Sequence, residues 1–158
     1  MTHTTKEEAV GKALIQLSSF CDTGFALAIH IRYTRPSLLY RTYGQKWIEH
    51  YSEQGFMLSD PVVHWGLTNT GTVEWADLSE QDPAGVMRAA VEHGLTNGWT
   101  FSFGPATSRT IAGLTKSGAP FSEAERAKII RIVEEIHALT EGIEAFPANT
   151  QDALRSLG

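Results

Sequence analysis

The sequence predicts an α+β fold, an α-β-α sandwich whose central antiparallel sheet is covered by helices on both faces. Three observations predict it. Residues 25 to 31 and 98 to 103 alternate large apolar residues with small or polar ones, the period of a strand. Residues 5 to 21 and 123 to 143 instead carry apolar residues at helical spacing. Turn signals at Asp22-Thr23-Gly24, Pro36, Asn69-Thr70-Gly71 and Pro105 divide these runs. The order is helix, two strands, helices, two or three strands, helix.

Thr5 and Glu8 form a capping box that opens the first helix, and Val10, Ala13, Leu14, Leu17 and Phe20 form its apolar stripe. Phe25, Leu27, Ile29 and Ile31 then share one face of a strand, with Ala26, Ala28 and His30 on the other. Leu38 to Thr42 is the paired strand. A helix runs from about Gly44 to Gln54 and stops at Gly55. Asp60 as N-cap and Pro61 at the first helical position start a short helix to about Leu67. Val73-Glu74-Trp75 is extended. Ser79 starts a helix to His93, with Val86, Met87, Ala90 and Val91 buried. Trp99, Phe101 and Phe103 alternate with Thr100 and Ser102, and Thr110 to Lys116 is a further strand. Ser122 and Glu125 cap a last helix with the stripe Ile129, Ile132, Val133, Ile136, Leu139 and Ile143.

The chain has 158 residues, enough for one domain with a sizeable core. Thirteen basic against eighteen acidic residues give a net charge of −5. Lys and Arg are scattered, which argues against direct nucleic acid binding by this chain. No apolar run is long enough to span a membrane and no signal peptide is recognisable. The single cysteine, Cys21, excludes an internal disulfide and fits a cytoplasmic location. It reads as a small apolar residue closing the first helix.

Function concentrates between Tyr43 and Trp75. Tyr43, Trp47 and Tyr51 are four apart, so on one helix they share a face. Such a stripe, taken alone, serves a core more often than a site. Its company favours a site: each ring also has a polar tip, and Asp60 follows inside the apolar run Met57-Leu58-Ser59-Asp60-Pro61-Val62-Val63. A buried carboxylate needs hydrogen-bond partners. Helix capping and ligand contact coexist at Asp60 only if the carboxylate reaches both ways.

Tyr43, Trp47, Tyr51, Asp60-Pro61 and Trp75, in this order and spacing, resemble the autoinducer-binding domain of LuxR-type quorum-sensing regulators. Gly94-Leu95-Thr96-Asn97-Gly98-Trp99-Thr100 and Gly113-Leu114-Thr115 are similar to further segments of that domain, so the likeness covers nearly the whole chain. It implies a PAS/GAF-like sensor domain over residues 1–145, with 146–158 as a tail or the start of a linker. It implies an N-acyl-homoserine lactone as ligand, with no cofactor and no catalysis. Trp47 resembles the donor to the lactone carbonyl, Asp60 the acceptor of the amide N–H, and Tyr43 the donor to the amide carbonyl. Trp75 resembles the aromatic beside the lactone ring, Tyr51 the ring flanking the acyl chain, and Thr115 a hydroxyl near the amide. Full regulators of this kind also carry a C-terminal helix-turn-helix domain, which has no counterpart in this sequence. The resemblance thus implies either part of a longer regulator or a stand-alone sensor. It allows a homodimer, or a heterodimer with a full-length regulator.

Two other readings stay open. A metal or hydrolase site would draw on His30, His50, His64, His93 and His137, yet these show no HExxH spacing, and no GxSxG occurs. A sensory domain of the same shape could bind another small molecule or a protein partner, since fold does not fix ligand.

Overall fold

The structure, a computed structural model, describes residues 4–158. Five antiparallel strands form one sheet in the order β2-β1-β5-β4-β3. They are β1 (Phe25–Arg32), β2 (Arg35–Arg41), β3 (Gly71–Glu74), β4 (Trp99–Phe103) and β5 (Arg109–Leu114). Among the described residues six α-helices flank them: α1 (Lys6–Ser18), α2 (Gln45–Glu53), α3 (Pro61–Thr68), α4 (Val86–Glu92), α5 (Glu123–Leu139) and α6 (Ala148–Arg155). The predicted sandwich is the observed fold.

The first core lies between one sheet face and α1, α5 and α6. Phe25, Leu27, Ile29, Tyr40, Trp99, Phe101, Ala112 and Leu114 meet Val10, Leu17, Ile129, Val133, Ile136 and Leu154 there. Cys21 belongs to this core, and burial pushes its thiol up to about 12. The capping box at Ser122 and Glu125 is formed in both directions. At α1, Thr5 accepts from the Glu8 amide, but the helix stops at Ser18, short of the expected residue 21.

Strict alternation along β1 fails at one place. His30 adopts a left-handed φ of 49°, and the register with β5 shifts between Ala28 and Ile31. This bulge turns His30 toward α5, where its ring bonds the His137 carbonyl and the Thr140 hydroxyl. Ile31 is thereby separated from Leu27 and Ile29, with which it was expected to share a face.

Two helices also differ from expectation. Instead of one helix from Ser79 to His93, a 3-10 helix covers Trp75–Gln81 and α4 begins only at Val86. The Asp82 carboxylate accepts from the Val86 and Met87 amides, and Gly85 at φ 71° makes the break. The buried side is Val86, Ala89 and Ala90, while Val91 is exposed. Residues 148–155, within the stretch expected as tail or linker, form α6 and bury Leu154 beneath the Tyr40 hydroxyl. Ile143, expected on the last helix, lies in the 3-10 turn Ile143–Ala145.

Candidate functional site

The second sheet face is built differently. β4 and β5 present Thr100, Ser102, Ile111 and Gly113 toward α3 and the segment around Trp75. Above them sits a cluster of Trp47, Phe56, Val86, Ala89, Ala90 and Leu95, with Tyr43, Tyr51 and Trp75 packed against it. Four of the six predicted site residues therefore belong to one neighbourhood, and Asp60 joins it through the Tyr51 hydroxyl.

Gly44 is the N-cap of α2, so Tyr43 precedes the helix and only Trp47 and Tyr51 ride on it. The predicted one-face stripe is thus two helical residues plus a third that approaches along the chain. Trp47 is 6% exposed and is held by rings: Tyr51 at 5.7 Å between centroids, Phe56 at 6.1 Å and His93 at 5.2 Å. His93 stacks in turn on His50 at 5.1 Å. Tyr43 donates its hydroxyl to the Gly113 carbonyl at 2.8 Å.

Asp60 reaches both ways. Oδ1 accepts from the Val62 amide at 2.8 Å, which caps α3, and Oδ2 accepts from the Tyr51 hydroxyl at 2.8 Å. Burial raises the carboxyl above the usual carboxylate range, while those two bonds pull it back down. Burial, and then the Asp60 charge, push the Tyr43 and Tyr51 phenols upward, so both are donors at neutral pH.

Trp75 lies flat on the sheet. Its indole N–H donates to the Thr100 hydroxyl at 2.9 Å. A side chain at Gly98 would run into its ring, and one at Gly113 would touch both its far edge and the Tyr43 hydroxyl. Gly98 is the position that admits the indole, while a Cβ at Gly113 would make only ordinary contact with it. Thr115 differs from the others: its hydroxyl donates to the Gly24 carbonyl at 3.0 Å and accepts from Thr23 at 2.7 Å. It ties the chain before β1 to the end of β5.

Sequence reasoning missed Phe56 and Ala89, which complete the wall together with Leu95 and Ala90. Gly98 offered a signal in retrospect, since glycine inside a strand pattern marks close approach of another group. Two surface grooves, of about 400 and 420 Å3, lie elsewhere: one between Arg35 and Arg155, the other between Ile15 and Leu157. No group of three or more metal-ligating side chains occurs among the described residues.

The arrangement is a wall that carries donors, acceptors and large rings. Residues 22–143 match the model of the autoinducer binding domain. The chain belongs to that family. Its fold superposes on SdiA in complex with octanoyl-rac-glycerol with a TM-score of 0.68 at 22% identity, over 90% of this chain and 62% of that one. Escherichia coli SdiA residues 1–171 in solution give 0.64 at 25% identity, over 87% and 85%. The N-acylhomoserine lactone dependent LuxR family transcription factor CepR2 from Burkholderia cenocepacia gives 0.62 at 15%, over 87% and 84%. The chain spans about two thirds of the length of two SdiA chains, 62% and 66%. No curated protein matches it. This autoinducer-binding domain has no helix among its described residues long and apolar enough to cross a membrane.

Proposed function

We propose that this autoinducer-binding domain senses an N-acyl-homoserine lactone-type signal in the cytoplasm and passes the signal to transcription. It does so through an attached DNA-binding domain or by pairing with a full-length regulator. The observation that carries the ligand reading is Asp60. A buried carboxylate with one bond on each oxygen keeps a lone pair on each for a further donor. A ligand amide buried with its N–H unpaired is costly, and this acid accepts it. Such a charge-assisted bond contributes about 1.5–3 kcal/mol. Trp47 then donates to the lactone carbonyl, and Tyr43 exchanges Gly113 for the amide carbonyl. Trp75 and Tyr51 flank the head group and chain, and Thr115 borders the amide. Each buried methylene of the tail adds about 0.8 kcal/mol.

The test is calorimetry with a panel of acyl-homoserine lactones on the wild type and on Trp47→Phe and Asp60→Asn. Both variants are expected to bind at least tenfold more weakly. Affinity equal to wild type in both would overturn the assigned contacts. Because SdiA has been seen with octanoyl-rac-glycerol, acylglycerols belong in the panel. Tighter binding of these than of any lactone would transfer the site to an ester–diol head group.

A further inference from the structure

Arg109 is anomalous among the described residues. It is 7% exposed, and its Nε is a fully buried nitrogen with no hydrogen-bond partner. The ion pairs of the described residues do not include it. Its other contact is Nη1 donating to the Asn69 carbonyl at 2.7 Å, at the C-cap of α3. The negative end of that helix offsets part of the cost of a buried cation. An unfilled guanidinium donor in the interior still demands an acceptor.

Strand alternation says which side it serves. Arg109, Ile111 and Gly113 share one face of β5. Thr110 lies on the other, where its hydroxyl meets His137. Gly113 accepts from Tyr43 and Ile111 packs against Gly66 of α3, so Arg109 extends the candidate site along the sheet. The neighbouring strand repeats the theme. Thr100 and Ser102 are 0% and 1% exposed, and Ser102 donates to the Gly66 carbonyl at 2.7 Å. The opposite face of these two strands is Trp99, Phe101, Ala112 and Leu114. A floor meant only to seat a helix or a plain alkyl chain would be apolar as well.

We propose that the ligand carries an oxygen acceptor on its tail and that the Nε of Arg109 is the donor that meets it. This rests on the reading that the head group sits at Asp60 and Gly113. Four residue steps along the strand separate Gly113 from Arg109, a reach of about 13 Å. The tail runs between β5 and α3 and replaces the contacts of Gly66 with Ser102 and Ile111. α3 stays held at its ends by Asp60 and Asn69.

The test uses acyl-homoserine lactones in matched pairs, ending in a methyl or in a hydroxyl, over a ladder of chain lengths. Affinities are measured by calorimetry on the wild type and on Arg109→Met, which keeps the apolar stem and removes the donor. At the length that spans the gap, the wild type is expected to bind the hydroxyl-ended ligand about tenfold more tightly than its methyl partner. Arg109→Met should lose that preference and bind the two members of each pair with equal affinity. Should Arg109→Met fail to melt cooperatively, Arg109→Leu replaces it, which also carries no donor. Lactone binding with no preference at any length, or a preference that survives the substitution, overturns this inference alone. Failure of every lactone to bind overturns the functional reading and this inference together.

Discussion

Asp60 carries two duties whose energetics oppose each other. As N-cap it needs only an acceptor, which asparagine also supplies. As a buried acid it holds its proton more tightly than in the unfolded chain, so its folded pKa lies above the unfolded value. A raised carboxyl gives stability that is present below the unfolded pKa, near 3.9, and lost as pH rises through the folded one. Asp60→Asn is therefore expected to hold or raise the melting temperature at pH 7.5 while ligand affinity falls. Melts from pH 4 to 8 check it, and the variant should lose less stability than the wild type as pH rises. Tyr51→Phe acts in the opposite direction. It strips Oδ2 of its donor and leaves an ionised carboxylate less satisfied, so it should destabilise by about 1.5–3 kcal/mol at neutral pH. Urea unfolding measures this, and a loss under about 0.5 kcal/mol would show that the Tyr51–Asp60 bond contributes little net stability.

At the scale of elements, the site strands and helices were legible wherever local patterning and tertiary demand agree. α5 with its Ser122–Glu125 box, β4 with Trp99 and Phe101, and α3 with Asp60-Pro61 all declare themselves. The cluster of Trp47, Tyr51, Asp60 and Trp75 was legible as residues but not as contacts. The Tyr51–Asp60 bond depends on how the turn at Gly55 folds α2 back toward α3, and spacing along a chain does not encode that. Arg109 was invisible for the same reason, since burial of a strand-end arginine is decided by α3 lying across it. The bulge at His30 escaped because its cause lies 107 residues away, at the His137 carbonyl. That bulge brings two imidazoles to 4.2 Å between α5 and the sheet. Burial holds His137 at about 4 and His30 below its ordinary value. The positive charge of Arg32 pushes both further down, and Glu141 pulls both up. A histidine with a lowered folded pKa favours the neutral form. Stability is therefore lost as pH falls below about 6.5, and the loss continues down to about 4. The melting temperature should drop between pH 7 and 5, and His137→Gln should flatten that slope. Parallel pH profiles in both proteins would place the acid sensitivity elsewhere.

For the whole molecule, the two faces of the sheet divide the work. The face toward α1, α5 and α6 is a continuous apolar core, and α6 extends it over β2 through Leu154. The face toward α3 is thinner and polar, and its helices are short: nine residues in α2, eight in α3 and seven in α4. Helices of that length are held by packing rather than by propensity. The part of the chain that touches the proposed ligand is thus the part with least independent support. Binding to the folded state alone stabilises it by mass action, about 2.7 kcal/mol at a hundred times Kd. In a domain of this size that is a rise in melting temperature of about 5–10 °C. Hydrogen exchange should place the gain in α2 to α4, with amides of β1 and α5 protected before ligand is added. A lactone that binds by calorimetry yet shifts neither the melt nor the exchange of α3 would mean that this face is already as rigid as the core opposite.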